Sequence, residues 1–460
     1  MRILLINSSL KQAEIGHYSK TLEKCRGIYQ PLGLGYISAS LISDGHIVDV
    51  LDWDTEEKPL EKLFQLLERN PEVVCFYLMT WTFREGSALL DYIKTFKKDI
   101  ISIAGGPQVS SFPSETLELS QFDFSIQGEA EYTIKELINA IKFNLKLDDI
   151  NGLIWRGNGI IVNKPRKLED DLDKLPFPTR WNFPIEKYND VFTINHHFAT
   201  LIASRGCPYQ CIFCDRKNRM GSTWRVRSPQ NIIQEMEHIN ITYGIKEFMF
   251  FDDNFIVEKK WVIDFCAKVE PYDFKWECRA RVDKVDRQLL RILHWAGCYR
   301  IRYGMESGDD EILKILRKDI TVEQIRECAK LTKEARIEIF AYFMMGSPFE
   351  TPETMQRTID LAMEIDADFT LFSRTILIPG SEMFNWAVIK NYIDKNYWLN
   401  FLKGIETNPA PVLPIPQADE FIKKANRQFY LRPSYIFNRL RKIKSFNQFY
   451  KQVKMGKAFL

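Results

Sequence analysis

The chain has 460 residues, 45% of them hydrophobic and 27% charged, with a net charge of +2. That length exceeds one ordinary core and implies two or three domains, and the composition is that of a folded globular chain rather than a disordered or collagen-like one. No run approaches the ~18 apolar residues of a membrane-spanning helix, the apolar start "MRILLINSSLK" is too short for a secretory signal, and nine thinly scattered cysteines do not make a disulfide framework; reduced thiols and a cytoplasmic setting are expected.

Residues 1–147 alternate short apolar runs with amphipathic stretches. "RILLIN" (2–7), "IVDVLD" (47–52), "VVCFYLM" (73–79), "IISIAGG" (100–106) and "FDFSIQGE" (122–129) read as buried strands, with helices over 34–43 and 131–141 between them. This α/β alternation predicts a doubly wound, Rossmann-like parallel sheet, whose ligands bind beyond the carboxyl ends of the strands. The loops placed there are "MTWT" (79–82), "GGPQ" (105–108) and "QGEAE" (127–131). Residues 148–195 break the pattern with "GLIWRGNGIIVN", which reads as a hairpin around Gly157 to Gly159, and then "DKLPFPTRW". This stretch is expected to connect two domains.

A second alternation fills residues 196–383. Strands are expected at "FATLIA" (198–203), "EFMFF" (247–251), "FKWEC" (274–278), "RIRYG" (300–304), "IFAYFM" (339–344) and "TLFSRTI" (370–376), with helices over 229–243, 321–335 and 351–365. Six βα units make a barrel or partial barrel with its site at the strands' carboxyl ends. Residues 384–460 read as helical on either side of Pro433. From residue 421 onward there are eleven Lys or Arg and no Asp or Glu, so the rest of the chain carries about −9.

"RGCPYQCIFCDRK" (205–217) follows the first barrel strand and holds Cys207, Cys211 and Cys214. A closed structural zinc site wants four ligands, usually as paired hooks, and here the fourth is missing. His196 and His197 lie nearby in sequence but ahead of the strand, which would carry them to the far end of the barrel. Thioredoxin-like chemistry uses a two-cysteine pair on another fold. Three thiolates, by contrast, hold three irons of a four-iron cluster and leave the fourth open to a ligand.

With Phe213 just ahead of the last cysteine, this loop resembles the signature loop of radical S-adenosylmethionine (radical SAM) enzymes. The resemblance implies a 4Fe-4S cluster whose open iron chelates S-adenosylmethionine, and an adenosyl radical that takes a hydrogen from substrate. Among the residues where barrel strands end, it implies Arg279, Glu306 and Ser307 as S-adenosylmethionine contacts, with Asp252, Asp253 and Gly346 beside them. Ordinary structural roles compete: an aspartate ahead of a helix caps it, and an Arg and a Glu at a barrel mouth pair with each other.

The first domain narrows the family. "QPLGLGYISASLISDGHIVDVLD" (30–52), "IAGGPQVSSFPSETL" (103–117) and "FDFSIQGEAEYTIKELI" (122–138) resemble the cobalamin-binding (B12-binding) half of cobalamin-dependent radical SAM enzymes. The resemblance implies Gly33, Thr80, Gly105, Gly106, Gly128 and Glu129 as cobalamin contacts. The paired glycines let backbone approach a ligand closely, although "GGP" is also a good strand-ending turn. Where other cobalamin domains carry the Asp and His of a cobalt-ligating motif, this chain has Ile28 and Gln30. Cobalt is thus expected to lack a histidine ligand from this motif.

The implied function is a methyltransferase that places a methyl on an unactivated carbon. Cyclisation or rearrangement by a related member is an alternative. A methylthiotransferase is another, but it needs a second cluster held by cysteines of the first domain, where only Cys25 and Cys75 occur. A cobalamin-binding sensor without catalysis leaves the three-cysteine loop unexplained. The expected partners are a small-molecule or lipid-like substrate and an external one-electron reductant such as flavodoxin or ferredoxin. No interleaving of basic and aromatic residues in the barrel points to nucleic acid. The basic carboxy-terminal region is either a solvated face packed through Phe429, Ile436 and Leu440, a peripheral membrane contact, or a steering field for an anionic substrate.

Overall fold

The computed structural model describes residues 1–8, 27–195, 197–215 and 220–442. Cys25, His196 and the last basic residues of the chain lie outside that set.

Five parallel strands open the chain: β1 (Arg2–Asn7), β2 (Ile47–Asp52), β3 (Val73–Tyr77), β4 (Ile101–Gly105) and β5 (Phe124–Ile126). They lie in the order β2, β1, β3, β4, β5, so chain direction across the sheet reverses between β1 and β3. Helices α1 (Leu32–Ser43), α2 (Pro59–Leu67), α3 (Phe83–Phe96), α4 (Pro107–Ser111), α5 (Pro113–Glu118) and α6 (Glu131–Phe143) fill the crossovers. Ile3, Leu4, Leu5 and Ile6 are all fully buried, because a parallel sheet covered on both faces hides every residue of its central strands.

The hairpin expected in the connecting stretch forms as β6 (Leu153–Gly157) and β7 (Gly159–Val162), turning at Gly159 with φ of 105°. It pairs antiparallel onto β5, so the first sheet has seven strands and runs past residue 147 to Val162. Beyond it, Arg180 is buried among Gln30, the Thr200 carbonyl and Glu235, tying the connection to both domains.

The second sheet is all parallel, in the order β8 (Ala199–Leu201), β11 (Glu247–Phe250), β12 (Lys275–Ala280), β13 (Cys298–Glu306), β14 (Glu338–Met345), β15 (Phe369–Arg374). Its outer strands β8 and β15 do not pair, which makes it an open, six-stranded partial barrel. Helices α7 (Pro229–Tyr243), α8 (Lys259–Val269), α9 (Arg287–Trp295), α10 (Asp310–Ile315), α11 (Val322–Glu334) and α12 (Pro352–Ile365) cover it. Their limits are written locally. Ser228 caps α7 ahead of Pro229 and Gly244 ends it in the left-handed region, while Thr321 and Gln324 form a capping box on α11.

At its amino-terminal end the lumen is plugged. Phe192 of the connection packs edge-on against Phe340 and Phe369, and Asp190 accepts a hydrogen bond from Tyr29 at 2.7 Å. Above lie Glu277, Arg300 and Arg302, all buried, with both arginines paired to the Glu277 carboxylate.

After residue 383 the chain serves both domains. Helices α13 (Glu382–Ile389) and α14 (Tyr397–Leu402) contribute Met383, Trp398 and Phe401 to one apolar cluster shared with Leu4 and Phe76 of the first sheet. Helix α15 (Ala418–Tyr430) instead buries Ile422, Ala425 and Phe429 against the barrel, and α16 (Pro433–Lys442) follows it. Ile436, expected in that packing, is exposed. The tail is also less free in charge than its sequence implies: Arg432 pairs with Asp366, and Arg439 lies 3.5 Å from Asp368 and 3.6 Å from Glu338. Among the described residues, no helix is long and apolar enough to cross a membrane.

Candidate functional site

The cysteine loop is the tip of a short antiparallel ribbon, β9 (Ser204–Arg205) with β10 (Arg225–Val226). Gly206 starts the loop at φ of 83°, where a Cβ would stand 2.1 Å from the Thr223 carbonyl oxygen; only glycine fits. The Cys207 amide donates to the Gly221 carbonyl at 3.3 Å, and the Cys214 amide to the Cys211 carbonyl at 3.3 Å. Between the cysteines, the Ile212 amide donates to the Leu316 carbonyl at 3.2 Å and the Ile212 carbonyl accepts from the Met383 amide at 2.9 Å. Ile212 and Phe213 turn into the apolar cluster shared by the domains, anchoring the loop between its cysteines.

All three thiols are outside any disulfide and half-buried, whereas Cys75, Cys266, Cys278, Cys298 and Cys328 are buried. Among the described residues, no three His, Cys, Asp or Glu side chains converge as ligands of a single ion. A four-iron cluster takes each thiolate on a different iron, so convergence on one point is not required of its ligands. The donor set and its exposure therefore fit such a cluster. His197 precedes β8, at the opposite end of that strand from the loop. Burial pushes the Cys211 thiol up, and the nearby Lys318 ammonium opposes that shift.

The barrel residues expected at the site divide in two. Arg279 lies half-buried near the end of β12 with its guanidinium 4.9 Å from the Phe251 ring centroid, and Asp253 is exposed after β11. Glu306 ends β13 at φ of 63° and accepts from Lys318 Nζ at 2.7 Å, close enough to Cys211 to raise its thiol. These three side chains and the cysteines lie at the strand ends. Asp252, Ser307 and Gly346 instead hold backbone in place. The buried Asp252 carboxylate accepts from the Ala203 amide at 3.2 Å and from the Ser204 amide and hydroxyl, fixing the approach to the cysteine ribbon. Burial pushes its carboxyl up to about 6 despite those bonds. Ser307 is fully buried, 3.3 Å from the Thr358 hydroxyl. Gly346, at φ of 90°, donates its amide to Glu350 at 2.6 Å beneath the Arg374 guanidinium.

Sequence reasoning missed Lys318, Arg281 and Glu350. Lys318 and Arg281 both bear on Cys211, and Arg281 stacks 4.0 Å over the Tyr209 ring of the cysteine loop. No spacing signals either, because each reaches the loop only through the curl of the barrel. Glu350 stands four residues after Gly346, and burial pushes its carboxyl up to about 7.

In the first domain, a Cβ on Gly33 or Gly128 would meet nothing within 4 Å, so both glycines open onto space. A ligand can lie against backbone there, which fits cobalamin at the strand ends. Gly106 is different: at φ of 103° its Cβ would stand 2.6 Å from the Leu78 carbonyl oxygen, so its own turn demands glycine. Gly105 ends β4, and Thr80 is buried in the one-turn helix after β3. Glu129 is held by Arg225 at 2.6 Å and Arg205 at 3.4 Å; burial raises its carboxyl, but these two arginines outweigh burial and hold it below the usual range. Cys75 is walled into β3, where burial pushes its thiol up to about 12, so it is no ligand for a second cluster.

Comparison with known proteins finds two family models. Residues 18–138 match the B12 binding domain, and residues 201–362 match the radical SAM superfamily. The chain belongs to the cobalamin-dependent radical SAM enzymes. Its cofactors are those of that family: a 4Fe-4S cluster, S-adenosylmethionine and cobalamin. An uncharacterized methyltransferase of Pyrococcus horikoshii is 29% identical over 416 residues, spanning 88% of this chain and 89% of that protein. The cytidylyl-2-hydroxyethylphosphonate methyltransferase of Streptomyces wedmorensis is 24% identical over 490 residues, spanning 94% and 90%. Among solved structures, the radical S-adenosylmethionine methyltransferase TsrM of Kitasatospora setae, with cobalamin and a 4Fe-4S cluster bound, superposes with a TM-score of 0.70 at 18% identity, covering 99% of this chain and 98% of that one. The cobalamin-dependent enzyme OxsB superposes with a TM-score of 0.72 at 17% identity, covering 98% and 70%.

For a cobalamin enzyme, the side chain at the histidine position matters. Gln30 is buried, donating to the Thr179 carbonyl and accepting from Arg180, each at 2.7 Å, and Ile28 bridges to Asn189 through its backbone. Neither offers an imidazole. Bound cob(II)alamin is expected to give a paramagnetic resonance spectrum without nitrogen superhyperfine splitting, and a clear nitrogen coupling would overturn that.

Proposed function

We propose that the chain is a methyltransferase that places a methyl group on an unactivated carbon of a small-molecule or lipid-like substrate. The observation that carries this reading is the docking of the cysteine ribbon on the β5–α6 loop of the first domain, where Glu129 and Glu131 meet Arg225 and Arg205. Two cofactor sites at the facing strand ends of two domains leave the reacting carbon between them, where orientation is worth most. The relatives from Pyrococcus horikoshii and Streptomyces wedmorensis, each matched over most of this chain, are both named methyltransferases.

When bound, S-adenosylmethionine on the cluster supplies hydrogen abstraction and cobalamin supplies a methyl group. The protein holds and orients both. Cys207, Cys211 and Cys214 hold the cluster, and Phe213 anchors their loop in the core. Arg279, Glu306 and Asp253 offer charge and hydrogen bonds for the amino-acid and ribose groups of S-adenosylmethionine, over backbone set by Asp252, Ser307 and Gly346. Gly33, Gly128, Gly105, Gly106 and Thr80 shape the cobalamin side. An external one-electron donor such as flavodoxin or ferredoxin serves the cluster, as expected of a cytoplasmic enzyme.

Anaerobic reconstitution with iron, sulfide and cobalamin, followed by mass spectrometry of a cell extract supplied with S-adenosylmethionine and reductant, tests the reading. A product heavier by one methyl supports it. Turnover of S-adenosylmethionine to a product that carries no added methyl would replace it with cyclisation or rearrangement.

The basic carboxy-terminal region is best read as a solvated helical face, since Arg432 and Arg439 are engaged by barrel acids. Lys423, Arg427 and Arg441 remain exposed, and each could contribute about 1 kcal/mol at an anionic surface. The expected result is no flotation with either anionic or neutral liposomes at low salt; flotation with anionic liposomes that salt abolishes would establish a membrane contact instead.

A further inference from the structure

The ribbon that carries the cysteines has an electrostatic problem that the first domain solves. Arg205 and Arg225 are direct partners across its two strands, and both are buried, at 6% and 5% exposure. Like charges directly opposite on an antiparallel ladder repel, and burial removes the water that would screen them. The compensation comes from elsewhere in the chain. Glu129 grips Arg225 as a fork, at 2.6 and 3.0 Å, and reaches Arg205 at 3.4 Å with the same oxygen that accepts the shorter bond. Glu131 accepts from Arg205 at 2.6 Å, and the Tyr36 ring of α1 lies 5.1 Å beneath that guanidinium.

Glu129 also adjoins the other site. Its neighbour Gly128 holds φ of 78° and opens onto the space beyond the first sheet's strand ends. A single peptide bond thus separates the backbone that a cobalamin would press against from the residue whose carboxylate holds the cluster ribbon. Glu129 is joined to both sides, by the peptide bond to Gly128 and by ion pairs to Arg225 and Arg205 of the ribbon.

Building on the cofactor assignment above, we propose that Glu129 is a positioning residue that couples the two sites: cobalamin binding firms the cysteine ribbon, and a seated cluster tightens cobalamin. Reciprocity is a thermodynamic requirement, because one coupling free energy serves both binding equilibria.

The test is a binding cycle under anaerobic conditions. Hydroxocobalamin is titrated into apo and cluster-loaded protein, wild type and E129Q, with equilibrium dialysis as readout and cluster absorbance recorded in each sample. Wild type is expected to bind cobalamin at least about 5-fold more tightly when the cluster is present. In E129Q, which keeps the shape of the side chain and loses its charge, the two affinities are expected to agree within about twofold. R225K supplies a second variant that keeps the cation and loses the fork; it is expected to lie between. An undiminished ratio in both variants, or a ratio of one in wild type, would overturn the coupling while leaving the cofactor assignment intact. Wild type that takes up a cluster yet binds no cobalamin would overturn the assignment and the coupling with it.

Discussion

Changing any one of Cys207, Cys211 or Cys214 to alanine is expected to abolish the cluster's absorbance and S-adenosylmethionine cleavage, while Cys266→Ala and Cys328→Ala do neither. The contrast rests on exposure. The three loop thiols are half-buried on a tip with glycine at its root, and no other described cysteine shares that exposure. Cys266 and Cys328 are 2% and 3% exposed; burial pushes the Cys328 thiol up to about 12 and raises Cys266 further still. A neutral thiol enclosed by apolar side chains is neither a nucleophile nor a metal ligand. Anaerobic reconstitution of each variant, with iron and sulfide counted per chain, checks the prediction. A full cluster in Cys211→Ala would overturn it.

The second large effect is on stability. Glu277→Ala should destabilise the barrel by about 3 kcal/mol or more, since it strips the shared partner from two buried arginines. Glu277 accepts from Arg300 at 2.8 Å and Arg302 at 2.6 Å, and all three are almost wholly buried. Burial raises the Glu277 carboxyl, but the two arginines outweigh it and hold it below the usual range. Arg300 retains Glu338, and Arg302 retains Asp190 at 3.5 Å, which keeps the loss from being larger. Urea denaturation of wild type, Glu277→Ala and Glu277→Gln measures it, with the glutamine variant expected between the other two because it keeps one acceptor. A loss below about 1 kcal/mol for the alanine variant would show that the network is dispensable.

Much of the fold was legible because local patterns record each residue's own burial. Strands at 2–7 and 47–52 and the helix at 229–243 form where the apolar runs and caps place them. The cysteine loop was legible for a chemical reason: few structures need three thiolates within eight residues. What escaped were partners distant along the chain. Lys318 and Arg281 come to Cys211 only once strands β12 and β13 stand side by side.

By itself, the sequence determined that there are two α/β units, that the second carries a three-cysteine loop after its first strand, and that Ile28 and Gln30 stand where the resemblance puts a cobalt-ligating Asp and His. Periodicity, spacing and side-chain chemistry suffice for each of these, since all are properties of short segments. Only the tertiary structure decided what the charges do. It joined Glu129 to Arg225, 96 residues apart, buried Gln30 against Arg180, and gave tail arginines that look unopposed along the chain carboxylate partners on the barrel. Ion pairs act through distance in space, and a linear pattern carries no record of it until the sheets have closed.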